Sequence, residues 1–121
     1  MKYALVYTIA LVMFLVYSGC QDSGTIQLEN SIRGGIIKNA RWGRVYLTNS
    51  LVPGESTGSI RVYDNSSFVD LPEENPVLFY MEVDGDLIYL ETKESYRLNV
   101  DENLEIVIDD STEVYNSLIV D

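Results

Sequence analysis

An all-β fold, built as an antiparallel β-sandwich of about seven to eight strands, is predicted by three features of this chain. β-Branched and aromatic residues alternate with polar ones over short runs. No window carries a convincing 3.6-residue apolar period. Turn-forming pairs recur between the runs: Gly34-Gly35, Pro53-Gly54, Leu71-Pro72 and Asn75-Pro76.

The first residues do not belong to that pattern. Met1-Lys2 is a short basic start, residues 3–21 carry no charge, and 3–17 form an apolar run that ends in Ser18-Gly19-Cys20. A basic start, an apolar centre and a small-residue exit predict a signal helix over 1–19 that is removed on export. A membrane-spanning helix is the competing reading, but it needs about 20 apolar residues and a charged stop. This run is shorter and closes on Ser-Gly-Cys-Gln. The polar residues 20–24 then read as a tether, and 25–121 as a single domain, large enough for one modest core.

Within the domain the candidate strands are 25–30, 36–40, 44–48, 59–64, 77–83, 86–92, 96–100 and 104–109. One hairpin is specified residue by residue. Asp84-Gly85 is a preferred two-residue turn with positive φ at both central positions. It sets Met81 against Ile88, Tyr80 against Tyr89 and Phe79 against Leu90, so Phe79, Met81, Ile88 and Leu90 share an apolar face. The opposite face carries Tyr80, Glu82, Tyr89 and Glu91, and a one-residue slip would destroy the division. A second hairpin is expected around Asp101-Glu102-Asn103, with Tyr96, Leu98 and Val100 returning as Leu104, Ile106 and Ile108. The apolar segment 118–120 reads as a last strand or a loose tail. Several short strands with frequent turns suit the immunoglobulin-like and transthyretin-like kinds of sandwich alike.

Composition excludes several chemistries. The chain has no histidine and one cysteine, Cys20, which removes Ser-His and Cys-His catalysis, His-ligated zinc and intrachain disulfides. The net charge of −11 repels phosphate, so no nucleic-acid partner is expected. Charge is also segregated. Residues 31–61 hold five basic side chains and one acid, whereas 62–121 hold 16 acids against Lys93 and Arg97.

Three groups of residues are candidates for function. In Lys38-Asn39-Ala40-Arg41-Trp42-Gly43-Arg44, the only Trp lies between basic residues; Trp42, Arg41 and Arg44 are the candidate ligand or surface contacts, through sugar stacking or anionic lipid. Packing competes and is favoured for Trp42, because a Trp buries so much area. Carboxylates gather at Asp84-x-Asp86, Asp101-Glu102 and Asp109-Asp110 with Glu113, but no calcium-loop pattern is present and solvated turns are the favoured reading. Neither a metal nor a cofactor is expected, and no serine has a base in a known spacing, so the chain is not expected to be an enzyme. Tyr46, Tyr63, Tyr80, Tyr89, Tyr96 and Tyr115 can supply a recognition surface or simply strand-forming residues.

Tyr17-Ser18-Gly19-Cys20 resembles the lipobox of bacterial lipoproteins, in which small residues precede a cysteine that is acylated and becomes the mature N-terminus. The resemblance covers the leader alone, and Tyr17 stands where the motif usually has Leu. It implies palmitate-type lipidation at Cys20 and a membrane contact through that lipid. Gln21, rather than Asp, after the cysteine implies outer-membrane sorting. The expected function is therefore a lipid-anchored cell-envelope protein with a non-catalytic binding or assembly role and an envelope protein as partner. An adhesin- or fimbria-like subunit joined by strand exchange, and a small calcium- or glycan-binding module, are the alternatives.

Overall fold

The computed structural model describes residues 22–66 and 69–116, which contain ten strands and no helix. They are β1 (Ser23–Ser31), β2 (Ile36–Trp42), β3 (Val45–Leu51), β4 (Ile60–Tyr63), β5 (Glu73–Asn75), β6 (Val77–Val83), β7 (Asp86–Thr92), β8 (Tyr96–Leu98), β9 (Asn103–Asp109) and β10 (Val114–Asn116). The leader with Cys20, and the segment 118–120 read as a last strand, lie outside the described residues.

Two principal sheets face each other across one core. One has the order β4-β1-β9 and the other β10-β7-β6-β2-β3, with β5 and β8 forming a separate pair. The pairings are antiparallel except that of β1 with β9, which is parallel. Ile26, Leu28, Ile106 and Ile108 come from the smaller sheet and Ile37, Trp42, Val77, Phe79 and Leu90 from the larger, all in one buried cluster. The architecture is all-β and sandwich-like, as period-2 alternation demands when each sheet buries one face.

The β6–β7 hairpin has the predicted register at every pair, from Val83 opposite Asp86 to Phe79 opposite Leu90. Asp84 and Gly85 have φ of 52° and 85°, as a turn with two positive φ values requires. The β2–β3 connection is equally short. Gly43, at φ 58°, sits where an added Cβ would lie 2.5 Å from the Asn75 side chain, so the turn accepts no larger residue without displacing that neighbour.

β2 is longer than its sequence pattern suggests because it bulges. Asn39, exposed and at φ 49°, interrupts the alternation, and the pairing with both neighbours shifts there. Ile37, Ala40 and Trp42 consequently all point inward, although a regular strand would send Ala40 and Trp42 to the face opposite Ile37.

Several expectations are corrected. The tether 20–24 is too long: Ser23 and Gly24 are buried and already pair with Tyr63 and Val62 in β1. The second hairpin does not form. β8 pairs with β5, and β9 runs parallel to β1. The turn at Asp101 is closed instead onto β1, with Asp101 N–H donating to the Ser23 carbonyl (2.8 Å) and Thr25 N–H to the Glu102 carbonyl (2.9 Å). Alternation had placed Ile106 and Ile108 inward correctly, but period 2 does not say which strand lies alongside. Finally, β5 and β10 were not anticipated. Both have only three residues, and Glu-Glu-Asn carries little strand propensity.

Candidate contact surface

Trp42 is fully buried, and its ring N–H donates to the Tyr96 carbonyl at 2.9 Å. It offers no face for a sugar to stack on, so the contact role considered for it is withdrawn and the packing reading holds. The flanking arginines do reach solvent. Arg41 projects from β2 on the outer side of the larger sheet, and Arg44 occupies the β2–β3 turn.

The outer side of that sheet concentrates tyrosine. Arg41 lies in register between Tyr46 on β3 and Leu78 on β6; Leu78 opposes Glu91 on β7, and Glu91 opposes Tyr115 on β10. In the adjacent row, Lys38 opposes Tyr80, and Tyr80 opposes Tyr89. The two rings meet edge to face, with centroids 4.9 Å apart and planes at 62°. Arg41 reaches across β6, its Nη2 donating to the Tyr89 hydroxyl at 3.4 Å. Lys38 pairs with Glu82 at 3.7 Å, and Lys93 stands 5.2 Å from the centre of the Tyr115 ring.

Four of the six tyrosines considered above therefore share one face with three cations. With strands about 4.8 Å apart, five strands make that face roughly 20 Å wide. Tyr46 and Tyr115 are each 54% exposed at its two margins. Rigid amphipathic rings next to cations suit protein contacts, because tyrosine loses little side-chain entropy on binding. Tyr63 lies on β4 in the other sheet. Tyr96, on β8, has its phenol pushed above its ordinary value, first by burial and then by the negative charges of Glu94 and Asp109.

The Asp109-Asp110 cluster is engaged locally. Asp109 accepts hydrogen bonds from the Ser111 N–H (2.9 Å), the Ser111 hydroxyl (2.7 Å) and the Thr112 hydroxyl (3.2 Å). These bonds, those from Ser111 above all, hold its carboxyl below the ordinary range. Asp110 is likewise lowered, chiefly by its hydrogen bond from Arg33 at 2.9 Å. Among the described residues no group of three or more Asp, Glu, His or Cys side chains is arranged to hold a metal ion.

Sequence reasoning missed Asn30. It is fully buried at the end of β1, where its side-chain amide donates to the carbonyls of Gly35 (2.9 Å) and Leu51 (2.8 Å) while its oxygen accepts from Ile32 N–H (2.9 Å). Its position on the apolar side of an alternating strand was the available signal.

The chain matches no protein-family model, no curated protein and no solved structure, so its own residues carry the functional reading.

Proposed function

We propose that this protein is a lipid-anchored component of the bacterial cell envelope with a non-catalytic role in binding or assembly, and that the tyrosine-rich outer face of the larger sheet is where its protein partner docks. The observation that carries the reading is the position of Cys20. The only cysteine follows Ser18-Gly19 at the end of an apolar leader and precedes β1 by three residues. Three extended residues span about 10 Å at most, so a lipid on Cys20 would hold the start of β1 close to the bilayer. Asp22, Asp64, Asp101 and Glu102 surround that start, since Asp64 N–H bonds the Asp22 carbonyl and Asp101 N–H that of Ser23. Their charge keeps the domain standing off anionic lipid rather than lying on it. Outer-membrane residence is the expected sorting, from Gln21.

The sandwich is proposed to be of the immunoglobulin-like or transthyretin-like kind. Two sheets over one core, with the sequence-distant strands β1, β4 and β9 as neighbours, support that class. A second reading, strand exchange between copies as in fimbria-like assemblies, is favoured by one observation. Among the described residues, β7 is paired along its outer edge only from Leu90 to Thr92.

The test of the anchor is fatty-acid labelling and fractionation of cells carrying the native chain or Cys20→Ala. The proposal expects label and membrane residence with Cys20 and loss of both in the variant. A variant of mature length still wholly in membranes would overturn it.

A further inference from the structure

We propose that the partner of the tyrosine-rich face is a second copy of this chain, bound face to face across a two-fold axis that runs along β6. The inference rests on the reading of that face as a docking surface and names its occupant.

One row across the larger sheet is self-complementary. From margin to margin it reads Tyr46 on β3, Arg41 on β2, Leu78 on β6, Glu91 on β7 and Tyr115 on β10, each directly opposite the next. Trp42, Val77, Phe79, Leu90 and Thr92, next to these residues in the chain, are buried, and directly opposed residues share a side. The row therefore stands on the outer side. It is the same read from either end except that its charge changes sign: tyrosine, cation, leucine, anion, tyrosine. Among the described residues neither Arg41 nor Glu91 has an ion-pair partner within the chain, and β6 keeps their strands about 10 Å apart. Two copies that each carry −11 repel, so contact is favoured where cations gather. Residues 36–51 hold Lys38, Arg41 and Arg44 and no acid.

A two-fold rotation about β6 lays this row on its own copy. Arg41 then meets Glu91 of the second copy, Glu91 meets the second copy's Arg41, Leu78 meets Leu78 and each Tyr46 meets a Tyr115, as an isologous contact requires. In the next row, where Lys38, Tyr80 and Tyr89 are in register, Lys38 comes over Tyr89 of the second copy, a cation on an aromatic ring. Glu82 meets its own equivalent, and Lys38 already balances its charge at 3.7 Å. A rotation leaves height along its axis unchanged, so both Ser23 residues lie at one level, as two lipid anchors in one bilayer require. The face measures about 20 Å by 23 Å, small beside the ~800 Å² per partner of a standard interface. The contact is therefore expected to be reversible, and anchoring both copies to one membrane strengthens it.

Sedimentation velocity of the full-length chain in detergent, over a concentration series, tests the pairing with the native sequence, Arg41→Glu, Glu91→Arg and an equal mixture of the two variants. The proposal expects a monomer–dimer equilibrium for the native chain and a dissociation constant raised about tenfold or more for either variant alone. The mixture should recover, because every cation again faces an anion. A native chain that stays monomeric, variants that associate as the native chain does, or a mixture no better than its components would each overturn it. If a charge reversal prevents folding, Arg41→Gln and Glu91→Gln take its place; weaker association supports the pairing and unchanged association contradicts it. A photoreactive residue at Tyr46 in cells separates this inference from the reading it rests on. An adduct of twice the chain's mass supports both. An adduct with a different protein overturns the second copy and keeps the docking face, and no adduct overturns both.

Discussion

The side-chain amide of Asn30 donates to the main-chain carbonyl of Leu51 at 2.8 Å, joining the end of β1 in one sheet to the end of β3 in the other. The same amide bonds Gly35, and the Asn30 main chain bonds Gly54 and Glu55, so the β1–β2 and β3–β4 loops meet on one buried residue. Every donor and acceptor brought together there has a partner, which is the condition for a buried polar group not to destabilise a core.

Replacing Asn30 is expected to be costly. Asn30→Ala leaves two buried carbonyls and the Ile32 N–H without their partner, and should lower unfolding stability by about 2–4 kcal/mol. Asn30→Asp adds a buried carboxylate facing those carbonyls, so its folded pKa is raised above the unfolded value. Stability then recovers as pH falls and the group protonates. Urea unfolding of both variants at neutral pH and near pH 4 checks the magnitude and the sign.

Asp109 and Asp110 have the opposite dependence. Both are held below the ordinary value of 3.8, so what they contribute to stability is present above that value and is lost as pH falls below it. Asp109→Asn and Asp110→Asn should flatten the acid limb of the melting-temperature profile. Because Ser111 is the largest cause for Asp109, Ser111→Ala should move the Asp109 carboxyl back up in a carboxyl-detected NMR titration, leaving Asp110 unmoved.

Trp42 is the single Trp and therefore an optical reporter of the core. Its emission should be blue-shifted in the folded chain, insensitive to iodide and unchanged by added oligosaccharides. Iodide quenching in the folded state would contradict the burial. Trp42→Ala should cost about 3–5 kcal/mol.

Thr92 is the second buried polar tie. Its hydroxyl accepts from Val77 N–H at 2.9 Å and donates to the Glu94 carbonyl at 2.8 Å. Thr92→Val keeps the shape and removes both bonds, so a loss of about 1–3 kcal/mol is expected by chemical denaturation.

The hairpin at Asp84-Gly85 was fully legible in the sequence because turn chemistry and alternation specify the same register. The inward set on β9 was legible for the same reason. Its partner was not, since the choice between β8 and β1 depends on where the Asp101 turn finds main-chain partners, and these are the Ser23 carbonyl and the Thr25 N–H, far away in sequence. The bulge at Asn39 was hidden because a polar residue with positive φ looks like any exposed strand residue. The candidate surface was half legible. Arg41 and the tyrosines were noted, but only the strand order brings Tyr46, Arg41, Tyr89 and Tyr115 to one face, and only that order turns Trp42 away from it.

On the proposed function, the outer face of the larger sheet meets a partner in the envelope. A photoreactive residue placed at Tyr46, in the full chain expressed in its own cells, tests it most directly against the same residue at Val107, which is 46% exposed on the other sheet. A discrete adduct with the same envelope protein is expected from Tyr46 and none from Val107, in chains that melt alike. Adducts from Val107 alone, or equal labelling from both faces, would contradict it.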